Sequence, residues 1–267
     1  MTNIYDAFPE LAEIYDCLPA YVNRRDVGFF FDEALNAGGR VMEVGSGTGR
    51  ILVPIARAGV RIDGLDGSRE MLDRCRAKLG GEDAAVRDRV RLHEGDARAF
   101  DLKERFSLVI APFRVVQHLT TSEDQLRFLD SVARHLAPSG RLVFDVFNPN
   151  FGALVSADGV ERDDTPDTPL PDGRSFRRAV RISRVRFIEQ VSEVELVYYI
   201  SAGAGKMAAR HVHAFEMRWF LRAELTHLLA RGGFAVRCIY GDFDRSPLTD
   251  NSPEQILCAD RVTAVAT

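Results

Sequence analysis

The sequence predicts an α/β fold, in which helices cover both faces of a mostly parallel sheet and an antiparallel insertion interrupts the chain. Two observations predict it. Short apolar runs alternate with amphipathic runs up to about residue 147, and this alternation is typical of βαβ units, which build parallel sheets. From residue 174 to residue 220 the apolar positions recur mostly every second residue instead, as they do in antiparallel strands.

The elements of the parallel part follow in order. The first strand is predicted from about Arg40 to Val44, and the amphipathic run after it is a helix that Gly59 ends. After a strand in VRIDGLD, Ser68 begins a helix and Gly80 ends it. The remaining elements are strands in RVRLHEGD, FSLVIAPF and RLVFDVFNP, and a helix that begins at Ser122 and ends before Pro138.

The chain divides into four predicted segments: a helical lead-in at residues 1–36, a core at 37–150, an antiparallel insertion of about three strands at 151–221, and a return to the core at 222–267. The insertion begins with SADGVERDDTPDTPLPDG, whose Asp, Pro and Gly content predicts a mobile acidic connection. Turns are expected near Gln190 and at SAGAGK. The return to the core is predicted as a helix in LRAELTHLLARGGF and strands in AVRCIY and PEQILCADRV.

Composition excludes several classes of protein. The 267 residues carry a net charge of −4, so no bulk attraction to nucleic acid or anionic lipid is expected. The four cysteines are far apart and form no CxxC pair, which argues against a zinc site or a disulfide framework and favours a reducing compartment. The sequence begins without a signal-peptide pattern, and no apolar run reaches the length of a membrane span. We therefore expect a soluble cytoplasmic protein with no membrane partner and no metal.

A glycine-rich stretch follows the first strand, in VMEVGSGTGRILVPIA. Its three glycines, Gly45, Gly47 and Gly49, stand where open α/β sheets bind their ligands. Glycine there allows positive φ angles and lets a ligand approach the backbone closely. The dinucleotide fingerprint G-x-G-x-x-G places its third glycine one residue later, which disfavours a nicotinamide oxidoreductase. A tight turn without a ligand is the other interpretation.

Three carboxylates are predicted to lie around this loop. Glu43 precedes the first glycine, Asp66 ends the second strand, and Asp96 follows the third. Asp66 is placed to accept both hydroxyls of a ribose, although a turn or helix cap is an equal alternative. Three negative charges would repel a pyrophosphate and attract a ligand that carries an ammonium and a sulfonium. Arg50 is available for a ligand carboxylate, or is a solvated helix arginine.

The motifs EVGSGTGR, GLDGSREML, EGDAR and FSLVIAPF, in this order, resemble the class I methyltransferases that use S-adenosylmethionine. The resemblance covers about residues 39–147 and 222–262 and implies a Rossmann-like core with a mostly parallel seven-stranded sheet. It implies S-adenosylmethionine as cofactor and S-adenosylhomocysteine as product. In this likeness the glycine loop holds the methionyl part, Asp66 the ribose, and Asp96 with the Ala97 amide the adenine. The full implied set of cofactor-binding residues is Tyr15, Glu43, Gly45, Ser46, Gly47, Arg50, Asp66, Gly67, Met71, Asp96, Ala97 and Ala111.

Looser features resemble the small-molecule branch that includes sugar-amine N,N-dimethyltransferases and glycine-type N-methyltransferases. They are ELAEIYDCLPAYVNRRD, PFRVVQHL, the insertion and the ending YGDFDRSPLTDNSPEQILCA. The resemblance implies a small-molecule amine as acceptor, with a hydroxyl second. It also implies that the lead-in and the insertion roof the site as a lid, and that Tyr15 closes over the cofactor. An aromatic anchor of an amphipathic helix is the alternative for Tyr15, and a cofactor-binding protein without turnover is the alternative for the chain.

His118, a few residues past the fourth strand, is predicted to deprotonate or orient the acceptor, because its side chain titrates in the useful range. A histidine that caps a turn is the alternative. The NPPY motif of enzymes that methylate base amines is absent, since this chain has APFR there, which argues against a nucleic-acid base amine as substrate; relatives that modify other groups of tRNA stay an alternative. A monomer or a homodimer fits the sequence equally well.

An arginine-rich run, GRSFRRAVRISRVRF, contains no acid. Contact with nucleic acid is one interpretation. Pairing across strands with Glu193 and Glu195 is the favoured one. His211 and His213 share one face of a predicted strand, which suits a pocket wall or a solvated face.

Overall fold

A computed structural model describes residues 4–202 and 207–262. The chain forms two compact units. The insertion unit contains Met1–Arg24 and Pro149–Trp219, and the core unit contains Arg25–Asn148 and Phe220–Thr267. Residues 25–36, which the sequence groups with the lead-in, lie in the core unit. Their buried side chains include Phe29 and Phe30, which join a cluster on one face of the core sheet.

The elements follow in chain order. The lead-in forms α1 Ile4–Ala7, α2 Pro9–Tyr15, α3 Pro19–Val22 and α4 Asp26–Leu35. The first part of the core unit forms β1 Val41–Val44, α5 Leu52–Arg57, β2 Ile62–Asp66, α6 Arg69–Gly80, α7 Ala84–Arg87, β3 Val90–Glu94, β4 Phe106–Ala111, a 3₁₀ helix Val115–His118, α8 Ser122–His135 and β5 Leu136–Phe147. The insertion and the return to the core form α9 Phe151–Val155, β6 Arg162–Pro169, β7 Ser175–Arg186, β8 Val191–Ser201, β9 Met207–Arg218, α10 Arg222–Arg231, β10 Phe234–Tyr240 and β11 Glu254–Arg261.

The core sheet has seven strands in the order β10-β11-β5-β4-β1-β2-β3. Strands β1 to β5 pair in parallel, whereas β11 runs antiparallel to both β5 and β10. The predicted α/β class and the mostly parallel seven-stranded sheet are confirmed. In this register Glu43 of β1 lies between Ile110 of β4 and Gly64 of β2.

Both faces of this sheet are covered. Along β1, Val41 packs into one cluster, while Met42 and Val44 pack into another, because successive side chains of a strand point to opposite faces. The first cluster includes Phe30 of α4 and Ile55 of α5, and the second includes buried residues of α8 and α10. Each face therefore has its own apolar core.

Two helix starts illustrate how the sequence specifies these elements. The hydroxyl of Ser68 accepts a hydrogen bond from the Met71 amide, as its position before α6 predicts. Helix α8 begins at Ser122, but the capping oxygen is that of Thr121, which accepts from the Asp124 amide. No helix in the described ranges combines the length and the apolar character that a membrane crossing requires.

The insertion unit contains a four-stranded antiparallel sheet in the order β6-β7-β8-β9, one strand more than predicted. The extra strand, β6, lies within the segment predicted as a mobile connection, so that prediction is wrong there. Ion pairs explain the strand. Asp163 and Asp164 of β6 pair with Arg177 and Arg178 of β7, so charge complementarity replaces the apolar alternation that would have revealed it.

The predicted turns of the insertion have different outcomes. Gln190 has a φ of 56° between β7 and β8, which confirms that turn. The other predicted turn, SAGAGK, falls largely on residues 203–206, which lie outside the described residues.

Candidate functional site

The glycine loop connects β1 to α5 at the carboxyl edge of the core sheet. The Gly45 and Ser46 amides both donate to the Leu65 carbonyl of β2, at 2.7 and 3.0 Å. Gly45, Gly47 and Gly49 have φ angles of 75°, 52° and 81°, a region that side chains strongly disfavour. A Cβ added at Gly45 would lie 2.4 Å from the Val115 side chain. The loop therefore needs glycine both for its backbone and for its packing.

Glu43 lies directly below this loop and is 3% exposed. Its carboxylate accepts a hydrogen bond from the Leu52 amide, and burial raises its pKa well above the ordinary value, with Asp26 and Asp66 adding to the rise and Arg50 opposing it. Within the described residues, Glu43 Oε2 and the neighbouring Ser46 Oγ are buried and have no hydrogen-bonding partner. Buried polar atoms are normally paired, so these two atoms fit a ligand that carries a hydrogen-bond donor and a positive charge.

Asp66 ends β2 beside the loop. Its Oδ2 accepts the Gly47 amide and its Oδ1 accepts the Ser68 amide, both at 2.8 Å. The carboxylate therefore fixes the glycine loop and the start of α6 together, which is the structural role that the sequence left open.

Arg50 already has a carboxylate partner inside the core unit. Its Nη1 and Nη2 donate to Asp26 Oδ1 and Oδ2 at 2.6 and 2.7 Å. Asp26 is fully buried in the first turn of α4, so the pair ties that helix to the residue after the glycine loop. The predicted role of Arg50 toward a ligand carboxylate stays a prediction.

The other predicted cofactor-binding residues of the core unit lie at the same edge. Asp96 follows β3, and its side chain is engaged by Arg98, a hydrogen-bonding partner that lowers the Asp96 pKa. Met71 is buried on α6, and its methyl group lies 3.5 Å from the point that a Cβ atom would occupy at Gly47. The remaining positions are Gly67 after β2, Ala97 after β3 and Ala111 at the end of β4.

His118 is the last residue of the 3₁₀ helix that follows β4. The residue is exposed to solvent, and the protein atoms near its ring lower its pKa by desolvation. A lowered pKa leaves the imidazole neutral at pH 7, the form that can accept a proton. The same 3₁₀ helix contacts the glycine loop through Val115 and Gly45.

Tyr15 lies in the insertion unit, at the end of α2. Its ring packs edge-on against Tyr5, with centroids 6.0 Å apart, and lies tilted against Tyr21, with centroids 4.8 Å apart. The Tyr21 hydroxyl accepts from Arg178 Nη1 at 2.6 Å, and burial raises the Tyr5 pKa. Tyr15 therefore belongs to an aromatic cluster of this unit, and its predicted role over the cofactor stays a prediction.

The arginine-rich run of β7 pairs with acids across the insertion sheet, as the favoured interpretation predicts. Arg181 contacts Glu195, and Arg186 contacts both Glu193 and Glu216. His211 pairs with Glu10 at 2.5 Å. In the part of the chain that the structure describes, no group of three His, Cys, Asp or Glu side chains could hold a metal ion.

Several residues of this site escape sequence reasoning. Asp26 gives no sequence signal, because it is one of three acids in an amphipathic helix. Asp145 does give a sequence signal, because it is an acid that interrupts the apolar run RLVFDVF of β5. In the structure it is fully buried. Its Oδ1 accepts the Phe113 amide at 2.7 Å, just before the 3₁₀ helix.

Known proteins resemble this chain over most of its length. A family model for a methyltransferase domain matches residues 41–140. The chain is 36% identical over 207 residues to dTDP-3-amino-3,4,6-trideoxy-alpha-D-glucopyranose N,N-dimethyltransferase from Streptomyces venezuelae, which covers 75% of this chain and 77% of that protein. It is 28% identical over 224 residues to cypemycin N-terminal methyltransferase from a Streptomyces species, over 84% of each chain.

Solved structures agree on the fold. The CcbJ methyltransferase of Streptomyces caelestis has a TM-score of 0.75 at 22% identity and covers 95% of this chain and 96% of that chain. The amino pentose methyltransferase CalS10 of Micromonospora echinaspora, solved with its S-adenosylmethionine bound, has a TM-score of 0.65 at 23% identity over 98% of each chain.

Fold, glycine loop and carboxylates together define an S-adenosylmethionine-dependent enzyme with a class I core. This chain belongs to the methyltransferase family that includes the sugar N,N-dimethyltransferase of Streptomyces venezuelae. S-adenosylmethionine is its methyl donor, and the nicotinamide interpretation does not apply. The unpaired Glu43 Oε2 and Ser46 Oγ and the cradle of the glycine loop fit that donor.

Proposed function

We propose that this enzyme transfers methyl groups from S-adenosylmethionine to the amine of a small molecule, and that an amino sugar linked to a nucleotide is the acceptor class. The extent of the comparisons carries the proposal. Relatives named as sugar N,N-dimethyltransferases cover 87% and 75% of the chain. Two relatives named as O-methyltransferases cover 47% and 45%. The likeness to N-methyltransferases thus extends well beyond the length that the O-methyltransferases share.

Within the core unit, Glu43 and Ser46 would hold the ammonium of the donor, because a buried carboxylate with a raised pKa is stabilised by a positive partner. Asp66 would accept the ribose hydroxyls, and Asp96 with Ala97 would bind the adenine edge. Met71, Gly67 and Ala111 would complete the wall, as the family resemblance implies. When bound, the donor supplies an electrophilic methyl group on a sulfonium.

His118 would take the proton that an ammonium acceptor must lose before its nitrogen can attack. Its lowered pKa supports this role, because a neutral imidazole is available at pH 7. Tyr15 would close over the donor, as the resemblance implies. In this proposal Tyr15 contributes to alignment and His118 removes the proton. Alignment and proton removal are the two requirements of this in-line displacement at carbon.

The remaining parts of the proposal concern the setting of the enzyme. The lead-in and insertion would roof the site, and the enzyme would act as a monomer or homodimer on a small molecule. A reducing cytoplasm is supported by four free cysteines in the described residues. The acid partners of the β7 arginines support the absence of a nucleic acid partner.

A paired-substrate assay tests the function. The enzyme is incubated with S-adenosylmethionine and either dTDP-3-amino-3,6-dideoxy-α-D-glucopyranose or the matched sugar with a 3-hydroxyl group, and S-adenosylhomocysteine is measured. Glycine and simple primary amines extend the panel. We expect turnover with an amine and none with the hydroxyl control. Turnover with hydroxyl acceptors alone would overturn the proposed amine specificity.

A further inference from the structure

The turn between β4 and the 3₁₀ helix has an uncommon backbone. Phe113 and Arg114 have φ angles of 58° and 67°, in the left-handed region that bulky side chains rarely occupy. Among the described residues, only Gln190 and Arg245 are other non-glycine residues with positive φ, and neither adjoins another. Strained backbone of this kind persists only where neighbouring groups hold it, and such positions concentrate at functional sites.

Buried side chains hold this turn from the side of β5 and β11. Asp145, which is fully buried on β5, accepts the Phe113 amide at 2.7 Å. Glu254, 5% exposed at the start of β11, accepts from Arg114 Nη2 at 2.9 Å. Gln117, also fully buried, accepts the Phe147 amide at 2.9 Å. These contacts attach both ends of the segment that leads to His118.

The opposite side of the same segment contacts the glycine loop. The Arg50 guanidinium lies 5.3 Å from the centre of the Phe113 ring, and the Val115 side chain occupies the space beside Gly45. The segment from Phe113 to Gln117 is therefore held against two elements at once: the end of β5 and the loop predicted to hold the donor.

We propose that Asp145 and Glu254 are positioning residues for methyl transfer, which hold Phe113 and Arg114 in the left-handed conformation and thereby fix the direction of the His118 imidazole. The proposal rests on the proposed role of His118. A turn needed only to connect two elements would be served by glycine without strain. Burying a carboxylate in a strand also has a desolvation cost. Both the backbone strain and the buried carboxylate occur at the residues that lead to His118. Precise placement of a catalytic group matters because the reaction rate falls steeply when that group is misplaced.

Substitutions at Asp145 test the proposal, with the best amine acceptor of the panel above as substrate. Asp145→Ala should lower kcat by about 10- to 100-fold, with an S-adenosylmethionine Kd within about threefold of the unsubstituted value. Asp145→Asn keeps an oxygen that can accept the Phe113 amide and should recover most of the rate. Gln190→Gly is the matched control: it relaxes a left-handed residue in the β7–β8 turn and should leave kcat unchanged.

A double-mutant cycle distinguishes positioning from general support of the fold. If Asp145 acts through His118, Asp145→Ala should change kcat by less than about twofold in a His118→Ala background. An equal loss of kcat in both backgrounds would overturn the proposal. Should Asp145→Ala fail to fold, Arg114→Gly and Glu254→Ala, which both remove the contact between these two side chains, are expected to give the same pattern of lower kcat and unchanged Kd, and full activity in both would also overturn it.

A measurement on the ligand-free protein separates this proposal from the proposed function. The imidazole resonances of His118, identified by their loss in His118→Ala, are recorded by NMR for the unsubstituted protein, Asp145→Asn and Asp145→Ala. We expect displaced or broadened resonances in Asp145→Ala and near-native ones in Asp145→Asn. Unchanged resonances in Asp145→Ala would refute the positioning role even in an active enzyme. A failure of the proposed function would appear instead as an unsubstituted enzyme that methylates no amine.

Discussion

Replacing Glu43 with glutamine should weaken cofactor binding without weakening the fold. Glu43→Gln keeps the size of the side chain and removes its charge. The carboxylate is 3% exposed, so water screens little of its attraction to a bound ammonium. A hydrogen bond to a charged group contributes about 1.5–3 kcal/mol, and each 1.4 kcal/mol corresponds to about tenfold in Kd. We expect the Kd for S-adenosylmethionine to rise by about 10- to 100-fold.

The same substitution should preserve or raise the Tm of the ligand-free protein. Burial raises the Glu43 pKa, so the folded state binds a proton over a pH range in which the unfolded chain has released it. The free energy of unfolding therefore decreases as pH rises through that range, and glutamine removes this decrease. Differential scanning calorimetry at several pH values measures the effect, and isothermal titration calorimetry measures the Kd.

Serine at position 46 provides the matched control for the charge. Ser46→Ala removes a neighbouring buried hydroxyl without changing any charge, so it should raise the Kd by less than Glu43→Gln does. An unchanged Kd in Glu43→Gln would refute the reasoning, because it would mean that no positive group of the donor lies against this carboxylate. A Tm that falls by several degrees would show that the ionised carboxylate stabilises the ligand-free fold.

Three further substitutions test the site. Gly45→Ala should lower the Tm more than Gly59→Ala does. Both glycines have positive φ, but only at Gly45 would the added methyl group collide with a neighbouring side chain, that of Val115. Equal losses of Tm in the two variants would contradict the packing argument. Asp66→Ala should raise the S-adenosylmethionine Kd by roughly one to three orders of magnitude and lower the Tm, because two amides lose their acceptor; an unchanged Kd by calorimetry would leave Asp66 with its structural role alone. His118→Ala should lower kcat by about 10²-fold and abolish the decline of kcat below the lowered pKa of His118; a variant as active as the unsubstituted enzyme at pH 7 would contradict the role of a base.

Local sequence signals predict the core unit well because each of its strands and helices is specified by residues that are close together in the sequence. A glycine follows each of β1, β2 and β3, Ser68 caps α6, and apolar residues predominate in strands such as β4. The positions of the glycine loop and of Asp66 at one edge follow from these elements, since parallel strands end at the same edge of a sheet. A resemblance to known motifs then added the identity of the ligand.

The features that the sequence did not predict have a common physical cause, which is contact between residues that are distant in the sequence. Strand β6 is held by Asp163 and Asp164 against β7, so its own sequence looks like an acidic loop. The pair of Asp26 and Arg50 joins helix α4 to the residue after the glycine loop, and the left-handed turn at Phe113 and Arg114 depends on Asp145 of β5. Neither residue type has a preference for that conformation that a sequence could reveal.

Transfer of a labelled methyl group tests the central claim most directly. The enzyme is supplied with S-adenosylmethionine carrying a ¹³C-methyl group and with the dTDP-3-amino sugar, and the product is observed by ¹H–¹³C NMR. Our account predicts a labelled methyl signal in the range of carbon bound to nitrogen, and no such product from the matched 3-hydroxy sugar. A labelled signal in the range of carbon bound to oxygen, with either sugar, would contradict it.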